Sequence, residues 1–331
     1  MRIAINGFGR IGRSLARVLK DYPEIQLVAI NDLAATDNLA HLLKYDTVHG
    51  RFPGRVEARE NALLLDGRRV EVSHCKDPAQ LNWQQLDLDF IIEATGKFRN
   101  LNLLQAHLMQ GRKVILSAPP LDQIKTIVYG INEHMIEHTD RVLSNASCTT
   151  NSAAPLVALI NELLSIEHAF ITTVHSYTTD QQLQDGPHKD FRRGRAAAES
   201  IVPTTTGAAK AITKVFPDLQ GRIGGAGIRV PVPDGSLTDI TFTVKKTAPV
   251  EVINQYFADK SAAGPLEGIL GYTADPIVSR DIIGSSYSCL FDEALTSSLG
   301  KMVKVVGWYD NEMGYSHRLA DLMVYLTKHF G

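Results

Sequence analysis

Three glycines near the start of the chain constrain its fold more than any other feature of the sequence. Gly7, Gly9 and Gly12 form the pattern GFGRIG directly after a short apolar run, Arg2 to Asn6, and a helix-like run follows them. A strand that turns through such glycines into a helix is typical of dinucleotide-binding sheets, because the turn lets backbone N–H groups and the helix N-terminus approach a pyrophosphate. The glycine pattern alone is common, so its meaning depends on what surrounds it.

An acidic residue and the following strands supply that context. A second predicted strand, Gln26 to Asn31, leads to Asp32, twenty residues after Gly12. A carboxylate at that position can accept a hydrogen bond from a ribose 2′-hydroxyl and would repel a 2′-phosphate. Two later apolar runs, Phe90 to Ala94 and Val114 to Leu116, end in small or hydroxyl residues, as strands do where a parallel sheet lines its ligand. We therefore predict a doubly wound parallel α/β sheet that binds NAD rather than NADP.

Composition limits the classes of protein to which the chain can belong. A length of 331 residues favours two domains over one core, and the 34 basic and 36 acidic residues give a net charge of -2, which indicates no nucleic-acid partner. No apolar stretch approaches the ~18 residues that span a bilayer, and the chain begins in a predicted strand, so we expect a cytoplasmic protein with no membrane partner. Three widely separated cysteines favour neither a disulfide framework nor a metal site.

Cys148 is the candidate nucleophile. It lies in the stretch SNASCTTN, just before an apolar-periodic run from Pro155 to Leu164. Ser147 and Thr149 beside it are residues that suit a helix N-cap and first turn, so the thiol should lie at the positive end of a helix, where cysteine pKa values fall to roughly 3.5 to 7.5 from about 8.5. An inert buried cysteine is the plain alternative. The hydroxyl and amide side chains around Cys148 suit a polar substrate better.

His175 is the candidate base. It ends a predicted strand, Ala169 to His175, and hydroxyl residues follow it in the run HSYTT. A histidine held at the end of a rigid strand can take a proton from a thiol or form an ion pair with it. Most of the eleven histidines must be surface or packing residues.

Later parts of the chain favour anion binding and a second sheet. The loop after His175 carries a basic cluster, Lys189, Arg192, Arg193 and Arg195, which could hold phosphate oxygens together with Thr178 and Arg229. The stretch PTTTGA from Pro203 to Ala208 precedes another helical run and is also suited to an anion. The residues from Ile228 to Val244 alternate between apolar and polar around the turn Pro233–Asp234–Gly235, which predicts an antiparallel sheet. We therefore predict an α+β second domain.

Taken together, these motifs resemble those of the phosphorylating glyceraldehyde-3-phosphate dehydrogenase family, from one end of the chain to the other. The motifs are INGFGRIGR, HLLKYDTVHGRF, SNASCTTN, HSYT, PHKDFRRGRAAAE, PTTTGAAKA and WYDNEMGYS, of which SNASCTTN followed by HSYT is the most specific. The resemblance implies a homotetramer whose subunits contain a Rossmann-type NAD-binding domain (1–147), a catalytic domain with a mostly antiparallel sheet (148–311) and a C-terminal helix (312–331) that returns to the first domain. It also implies that the loop 176–200 packs against a neighbouring subunit.

The resemblance further implies roles for single residues. Cys148 would attack the aldehyde of D-glyceraldehyde 3-phosphate, and His175 would activate the thiol and assist hydride departure to NAD. Inorganic phosphate would then release 1,3-bisphosphoglycerate from the thioester, a step of glycolysis and gluconeogenesis. The implied substrate-phosphate pocket contains Thr178 and Arg229, and the inorganic-phosphate pocket contains Ser147, Thr149, Thr206 and Gly207, with Arg193 near both. The implied cofactor contacts are Gly7, Gly9, Arg10, Ile11, Gly12, Asp32, Lys76, Ser117 and Asn311, the last of which would hold the nicotinamide carboxamide.

Several alternatives stay open. Erythrose-4-phosphate dehydrogenases share the thiol and the histidine, although their second-phosphate motif usually departs from the TTTGAAKA that this chain keeps. A Cys-His acyl-transfer or hydrolytic enzyme that merely retains a nucleotide fold is a second alternative, and a non-catalytic interaction protein is a third. Gly186 stands where NAD-specific members usually carry leucine, so use of NADP beside NAD also stays open.

Overall fold

The structure, a computed structural model, describes residues 1–330 and divides into two compact units. The first unit contains Met1–Tyr129, Glu133–Ala146 and residues 316–330, and the second contains Gly130–Asn132 and Ser147–Tyr315. Among the described residues, no helix combines the length and the apolar character that crossing a membrane requires.

The first unit is built on a nine-stranded sheet. Its elements in chain order are β1 (Arg2–Asn6), α1 (Arg10–Val18), β2 (Gln26–Asn31), α2 (Thr36–Lys44), β3 (Tyr45–Asp46), β4 (Gly50–Arg51), β5 (Val56–Arg59), β6 (Ala62–Leu65), β7 (Arg68–Ser73), β8 (Leu88–Glu93), α3 (Leu101–Leu108), β9 (Gly111–Leu116), β10 (Lys125–Thr126) and β11 (Val142–Ser144). The strands β3 and β4 form a separate ribbon.

Strand β1 lies at the point where the order of this sheet reverses. The order is β10-β11-β9-β8-β1-β2-β7-β6-β5, and all neighbours from β10 to β7 are parallel. Ile3, Ala4 and Ile5 are fully buried, as expected for a central strand of a parallel sheet that is covered on both faces. The prediction of a doubly wound α/β sheet is confirmed, and the glycine turn after β1 lies at the switch point where such sheets bind their ligands.

The second unit contains an eight-stranded, mostly antiparallel sheet. Its elements are α4 (Cys148–Leu164), β12 (Ile166–Ser176), β13 (Val202–Thr204), α5 (Ala208–Val215), β14 (Ile223–Val230), β15 (Ser236–Val244), α6 (Val250–Ala262), β16 (Leu270–Thr273), β17 (Cys289–Asp292), β18 (Ser297–Leu299) and β19 (Met302–Tyr309). The order is β13-β14-β12-β15-β19-β17-β16, with β18 on β19, and only the pairs β12–β14 and β16–β17 are parallel. The prediction of an α+β fold with a mostly antiparallel sheet is confirmed.

The strands on either side of the turn Pro233–Asp234–Gly235 belong to this sheet but are not neighbours in it. In the structure β12 lies between β14 and β15, and it is parallel to the first and antiparallel to the second. Alternation reports only that each strand has two different faces, and it cannot identify the neighbouring strand.

The last helix, α7 (Met313–Phe330), lies mainly in the first unit. Leu319, Leu322 and Met323 on this helix are fully buried. The hydroxyl of Tyr22 donates to Asp321 Oδ1 at 2.6 Å, within the same unit. The first unit is therefore completed by a segment from the far end of the chain.

Candidate active site

Cys148 is the first residue of α4, and Ser147 is the N-cap. Ser147 has an extended backbone (φ -122, ψ 165), and its Oγ accepts a hydrogen bond from the backbone N–H of Thr150 at 3.1 Å. This is the usual way in which a serine satisfies a free N–H group at the start of a helix. The predicted N-cap and helix start are confirmed, and the thiol lies at the positive end of the helix.

The thiol faces an imidazole. His175 lies near the end of β12, is buried, and places its Nε2 at 3.4 Å from Cys148 Sγ. Its Nδ1 is 2.7 Å from the carbonyl oxygen of Ser176. The carbonyl oxygen can only accept a hydrogen bond, and the Arg229 guanidinium, whose Nη1 lies 2.8 Å from the same Nδ1, can donate to that carbonyl instead. We therefore assign the proton to Nδ1, which leaves the lone pair of Nε2 directed at the thiol. The pair can therefore pass a proton from sulfur to imidazole.

The sequence predicts that the helix N-terminus lowers the pKa of the Cys148 thiol, and this prediction is wrong. Burial raises the pKa of Cys148, and this effect outweighs the Arg229 charge and the hydrogen bonds from Thr149, which lower it. Burial, followed by the Arg229 charge, lowers the pKa of His175 to about 3. Both groups thus favour their neutral forms when each is taken singly. The geometry allows the thiol to give its proton to the imidazole in contact with it, which would leave the sulfur as a nucleophile.

Arg229 lies beside the histidine because their strands are neighbours. In the parallel pair β12–β14, His175 is directly opposite Arg229. The Nη1 of Arg229 donates to the Ser176 carbonyl at 3.0 Å and lies 2.8 Å from His175 Nδ1. A guanidinium in this position can hold an anionic oxygen next to the thiol.

Asp180 joins two of the predicted phosphate-binding residues, and it was not among the residues predicted from the sequence. The Thr178 hydroxyl donates to one oxygen of Asp180, and the Arg193 guanidinium donates to the other. Burial raises the pKa of Asp180, but the hydrogen bonds and charges of Thr178, Arg193 and Arg229 lower it by more, so the pKa lies below its usual value. An acid two residues after a predicted phosphate ligand, in a loop rich in arginine, was the signal available in the sequence.

Arg193 also reaches the start of α5. Its Nε donates to Thr204 Oγ1 at 3.0 Å, and its Nη2 lies 3.5 Å from the carbonyl oxygen of Thr205. Thr206 Oγ1 accepts from the N–H of Ala208 at 3.2 Å, and Gly207 is the N-cap of the helix. A β-carbon added at Gly207 would meet nothing within 4 Å, so the helix N-terminus is open to an anion.

Tyr309 is a second residue that sequence reasoning did not single out. Its hydroxyl bridges Thr149 Oγ1 at 3.0 Å and Thr173 Oγ1 at 2.8 Å. Its ring meets that of His175 edge-on, with 5.9 Å between centroids. Tyr309 thus supports both the first turn of α4 and the candidate base. Its position at the end of the last strand, inside the motif WYDNEMGYS, was the only indication in the sequence.

In the first unit, the glycine turn has the shape that a pyrophosphate requires. Gly7 has φ +94, and a β-carbon there would lie 2.7 Å from the backbone nitrogen of Thr95. A β-carbon at Gly12 would lie 2.3 Å from the Gly7 carbonyl oxygen, whereas one at Gly9 would meet nothing within 4 Å. Two glycines are therefore needed for close packing, and the third leaves open space at the start of α1, where Arg10 and Ile11 are the first residues.

The remaining candidate cofactor residues occupy the ends of strands and one loop. Asp32 accepts hydrogen bonds from the backbone N–H groups of Phe8 at 2.8 Å and Ala34 at 3.0 Å, so its carboxylate is attached to the glycine turn. The Ser117 N–H donates to the Glu93 carbonyl at 2.9 Å, which joins the ends of β9 and β8. Lys76 is exposed.

The Arg10 guanidinium binds Asp46. Burial raises the pKa of Asp46, but hydrogen bonds from Arg10 and from the backbone bring it down to about 2.

Asn311 belongs to the second unit. Its Oδ1 accepts hydrogen bonds from Ser176 Oγ at 2.9 Å and Ser236 Oγ at 2.7 Å. Together with Cys148, His175 and Arg229, it forms part of the polar network at the ends of β12, β14 and β15.

Comparisons with known proteins agree with this geometry. Residues 1–101 match the NAD binding domain of glyceraldehyde 3-phosphate dehydrogenase, and residues 147–311 match the C-terminal domain of the same enzyme. Among curated proteins, the chain is 50% identical over 331 residues to a glyceraldehyde-3-phosphate dehydrogenase of Thermotoga maritima, with 99% of each chain covered. It is 48% identical to one of Geobacillus stearothermophilus, with 99% of this chain and 98% of the relative covered. It is 47% identical to glyceraldehyde-3-phosphate dehydrogenase 2 of Streptomyces avermitilis, with 98% of each covered.

Identity of this extent over the whole chain, together with a glycine turn at the sheet's switch point and a thiol facing an imidazole, leads to one conclusion: the chain belongs to the glyceraldehyde-3-phosphate dehydrogenase family.

Proposed function

We propose that the chain catalyses the NAD-dependent, phosphorylating oxidation of D-glyceraldehyde 3-phosphate to 1,3-bisphosphoglycerate, a step of glycolysis and gluconeogenesis. One observation carries the proposal beyond family membership. Cys148 Sγ lies at the start of a helix, 3.4 Å from the Nε2 of a histidine whose other nitrogen contacts a carbonyl group. This arrangement suits a nucleophile and its base.

Cys148 is the nucleophile in this proposal. Its proton passes to His175 Nε2 as Sγ bonds to the aldehyde carbon, and the imidazolium returns the proton to the oxygen, which gives a thiohemiacetal. His175 then takes the hydroxyl proton while a hydride leaves the same carbon, and a thioester remains on Cys148. NAD, when bound, accepts that hydride. Inorganic phosphate next attacks the thioester carbon, the thiolate leaves, and His175 returns the proton to sulfur.

Two groups of residues hold the anions. Arg229 and Thr178 bind the phosphate of the substrate, and the position of Arg229 beside His175 supports this role. The inorganic phosphate is held at the starts of α4 and α5 by Ser147, Thr149, Thr206 and Gly207, where free N–H groups favour anions. Arg193, which is linked to Thr178 through Asp180, serves both phosphates.

The cofactor is bound by the glycine turn, with Gly7, Gly9, Arg10, Ile11 and Gly12, and by Asp32, Lys76 and Ser117. The open space beside Gly9 and the attachment of Asp32 to the turn support this assignment. Asn311 donates to the nicotinamide carboxamide and so determines which face of the ring receives the hydride. Gly186 stands where NAD-specific members usually carry leucine, so selectivity for NAD over NADP would depend mainly on Asp32. The ratio of turnover with NAD to turnover with NADP measures this selectivity.

The assembly and the location are part of the same proposal. We expect a cytoplasmic homotetramer, in which each subunit contains an NAD-binding domain (1–147), a catalytic domain (148–311) and a C-terminal helix (312–331) that returns to the first domain. Light scattering should give a mass about four times that of the 36.3 kDa chain. A monomeric mass under assay conditions would contradict the tetramer.

The decisive assay is NADH formation from D-glyceraldehyde 3-phosphate and NAD. We expect the rate to depend on added inorganic phosphate, and Cys148→Ser to abolish it. Cys75→Ser, which replaces a half-buried thiol of the first unit, is the matched control and should retain activity. A rate that ignores phosphate would favour an acyl-transfer or hydrolytic enzyme, and a preference for erythrose 4-phosphate would favour the related dehydrogenase.

A further inference from the structure

Ser176 connects the base with the amide of Asn311. Its carbonyl oxygen lies 2.7 Å from His175 Nδ1, its N–H donates to Ser236 Oγ at 3.1 Å, and its hydroxyl donates to Asn311 Oδ1 at 2.9 Å. Ser236 also donates to Asn311 Oδ1, at 2.7 Å. Both serines are fully buried or nearly so, and Asn311 is 6% exposed. The amide oxygen therefore belongs to a buried hydrogen-bond network with Ser176 and Ser236.

These contacts determine which way the amide points. Ser236 Oγ already accepts from a backbone N–H, so its own proton needs an acceptor, and Asn311 Oδ1 supplies one. The Ser176 hydroxyl proton has the same acceptor. With the amide reversed, both buried hydroxyl protons would face an NH2 group and lose their acceptor, which costs free energy. The oxygen of Asn311 therefore faces the two serines, and Nδ2 points away from them.

We propose that Ser236, acting with Ser176, is a positioning residue that holds the Asn311 amide with its NH2 group directed away from the two serines, so that it can donate to the carboxamide oxygen of the nicotinamide. The inference rests on the proposed function, in which Asn311 contacts the carboxamide. A fixed donor limits rotation of the nicotinamide ring, and the hydride then reaches one face only. The location of Ser236 is consistent with this role, because it begins β15 and is directly opposite Tyr309 at the end of β19, two residues before Asn311.

Binding of NAD and of ADP-ribose, which lacks the nicotinamide, provides the first test. We expect Ser236→Ala to weaken NAD binding by about 3–10-fold, the effect of one hydrogen bond, and to leave ADP-ribose binding unchanged. Thr238→Val is the matched control, because Thr238 is a buried hydroxyl residue of the same strand whose contact is Ser152 Oγ at 3.0 Å. Isothermal titration measures both ligands without turnover.

Stereochemistry provides the second test. With substrate deuterated at the aldehyde carbon, the wild-type enzyme should place deuterium on one face of the reduced ring, and Ser236→Ala should place a measurable fraction on the other face. NMR of the NADH distinguishes the two products. The KM for NAD should rise, while that for glyceraldehyde 3-phosphate should not change.

Two Asn311 variants separate the inference from the proposed function. Asn311→Asp keeps an oxygen that accepts from the serines and removes the NH2 donor. It should therefore weaken the binding of NAD but not the binding of ADP-ribose. If Asn311→Ala and Asn311→Asp both bind NAD normally, the assigned role of Asn311 is wrong. If the two Asn311 variants weaken NAD binding and Ser236→Ala does not, only the positioning role of Ser236 is wrong. Should Ser236→Ala not fold, Ser176→Ala removes the other donor and carries the same expectation, and unchanged selectivity between NAD and ADP-ribose would overturn the proposal.

Discussion

In the proposed mechanism, a single proton shared by sulfur and imidazole determines the chemistry at Cys148. The structure places the thiol and His175 in contact, but burial raises the pKa of one and lowers that of the other. The sequence suggested that the helix N-terminus would ionise the thiol by itself. The structure indicates that it does not. In the proposed mechanism, the histidine is needed in the first step, as acceptor of the thiol proton, and again when the hydride leaves.

The first prediction concerns His175→Asn. Without the imidazole, the sulfur must lose its proton to water, so alkylation of Cys148 by iodoacetamide should move to higher pH than in the wild-type enzyme. Turnover should fall by ~10²–10⁴-fold, the usual contribution of a positioned acid or base. The measurement is the alkylation rate between pH 5 and 10. An unchanged pH profile would show that His175 is not the proton acceptor.

The second prediction concerns Arg229→Gln. Loss of the guanidinium should raise the KM for glyceraldehyde 3-phosphate by about 10–100-fold, as expected for a hydrogen bond to a charged group. The KM for unphosphorylated D-glyceraldehyde should stay nearly constant. Because the Arg229 charge lowers the pKa of His175, its removal should also raise that pKa. Equal losses with both aldehydes would assign Arg229 to the base rather than to the phosphate.

At the scale of elements, strand pairing assembles the site. β12 carries His175 and Ser176, β14 places Arg229 opposite the histidine, and β15 begins with Ser236. These four side chains lie at or near strand ends, where the sheet fixes the position of the backbone. In the first unit, the end of β1 and the start of α1 supply the turn for the cofactor in the same way.

The third prediction compares two glycines of that turn. Gly9 has φ -73, and a β-carbon there would enter open space, so Gly9→Ala should fold normally but bind NAD about tenfold or more weakly, because the methyl group occupies the approach to the pyrophosphate. A β-carbon at Gly12 would lie 2.3 Å from a backbone oxygen, so Gly12→Ala should also lower the thermal midpoint. NAD titration and thermal unfolding of both variants measure the two effects. Equal losses of stability in both would contradict this division of roles.

At the scale of the whole molecule, the second unit contains a buried carboxyl group whose pKa is raised. Asp234 is 1% exposed, and Asp310 and Glu312 are also buried. Burial, with the charges of those two neighbours, raises the pKa of Asp234 to about 9. In an unfolded chain the same group titrates near pH 3.9. Unfolding therefore releases a proton between these two values, and the stability contributed by Asp234 is lost as the pH rises from about 4 to about 9.

The fourth prediction follows from that proton. Asp234→Asn removes the titration and keeps an oxygen that can accept the Gly235 N–H, which donates to Asp234 Oδ1 at 2.8 Å. The free energy of unfolding of the variant, relative to wild type, should rise by up to about 1.4 kcal/mol per pH unit above pH 4. Urea unfolding at pH 5, 7 and 9 gives this difference, with exposed Asp218→Asn as control. A difference that does not change with pH would mean that Asp234 is ionised in the folded chain.

Much of the fold followed from local patterns. The glycines after β1, the hydroxyl residues before α4 and the histidine at the end of β12 each have a local physical reason for their place, so their elements and the N-cap could be predicted. Strand neighbours could not, and the pairing of β12 between β14 and β15 was missed for that reason. Asp180, Tyr309 and Ser236 were also missed, because their contacts join segments that are distant in sequence or lie in irregular loops.

The sequence by itself determined what is periodic or local: a doubly wound sheet with a glycine turn, a capped helix that begins at the thiol, and a family resemblance that extends over the whole chain. Only the tertiary structure decided the state of the groups that react, because proton affinity depends on burial and on charges brought close by folding. Arg229 is far from His175 along the chain and in contact with it in space. That proximity, together with burial, sets the proton affinities of the histidine and of the thiol that it contacts.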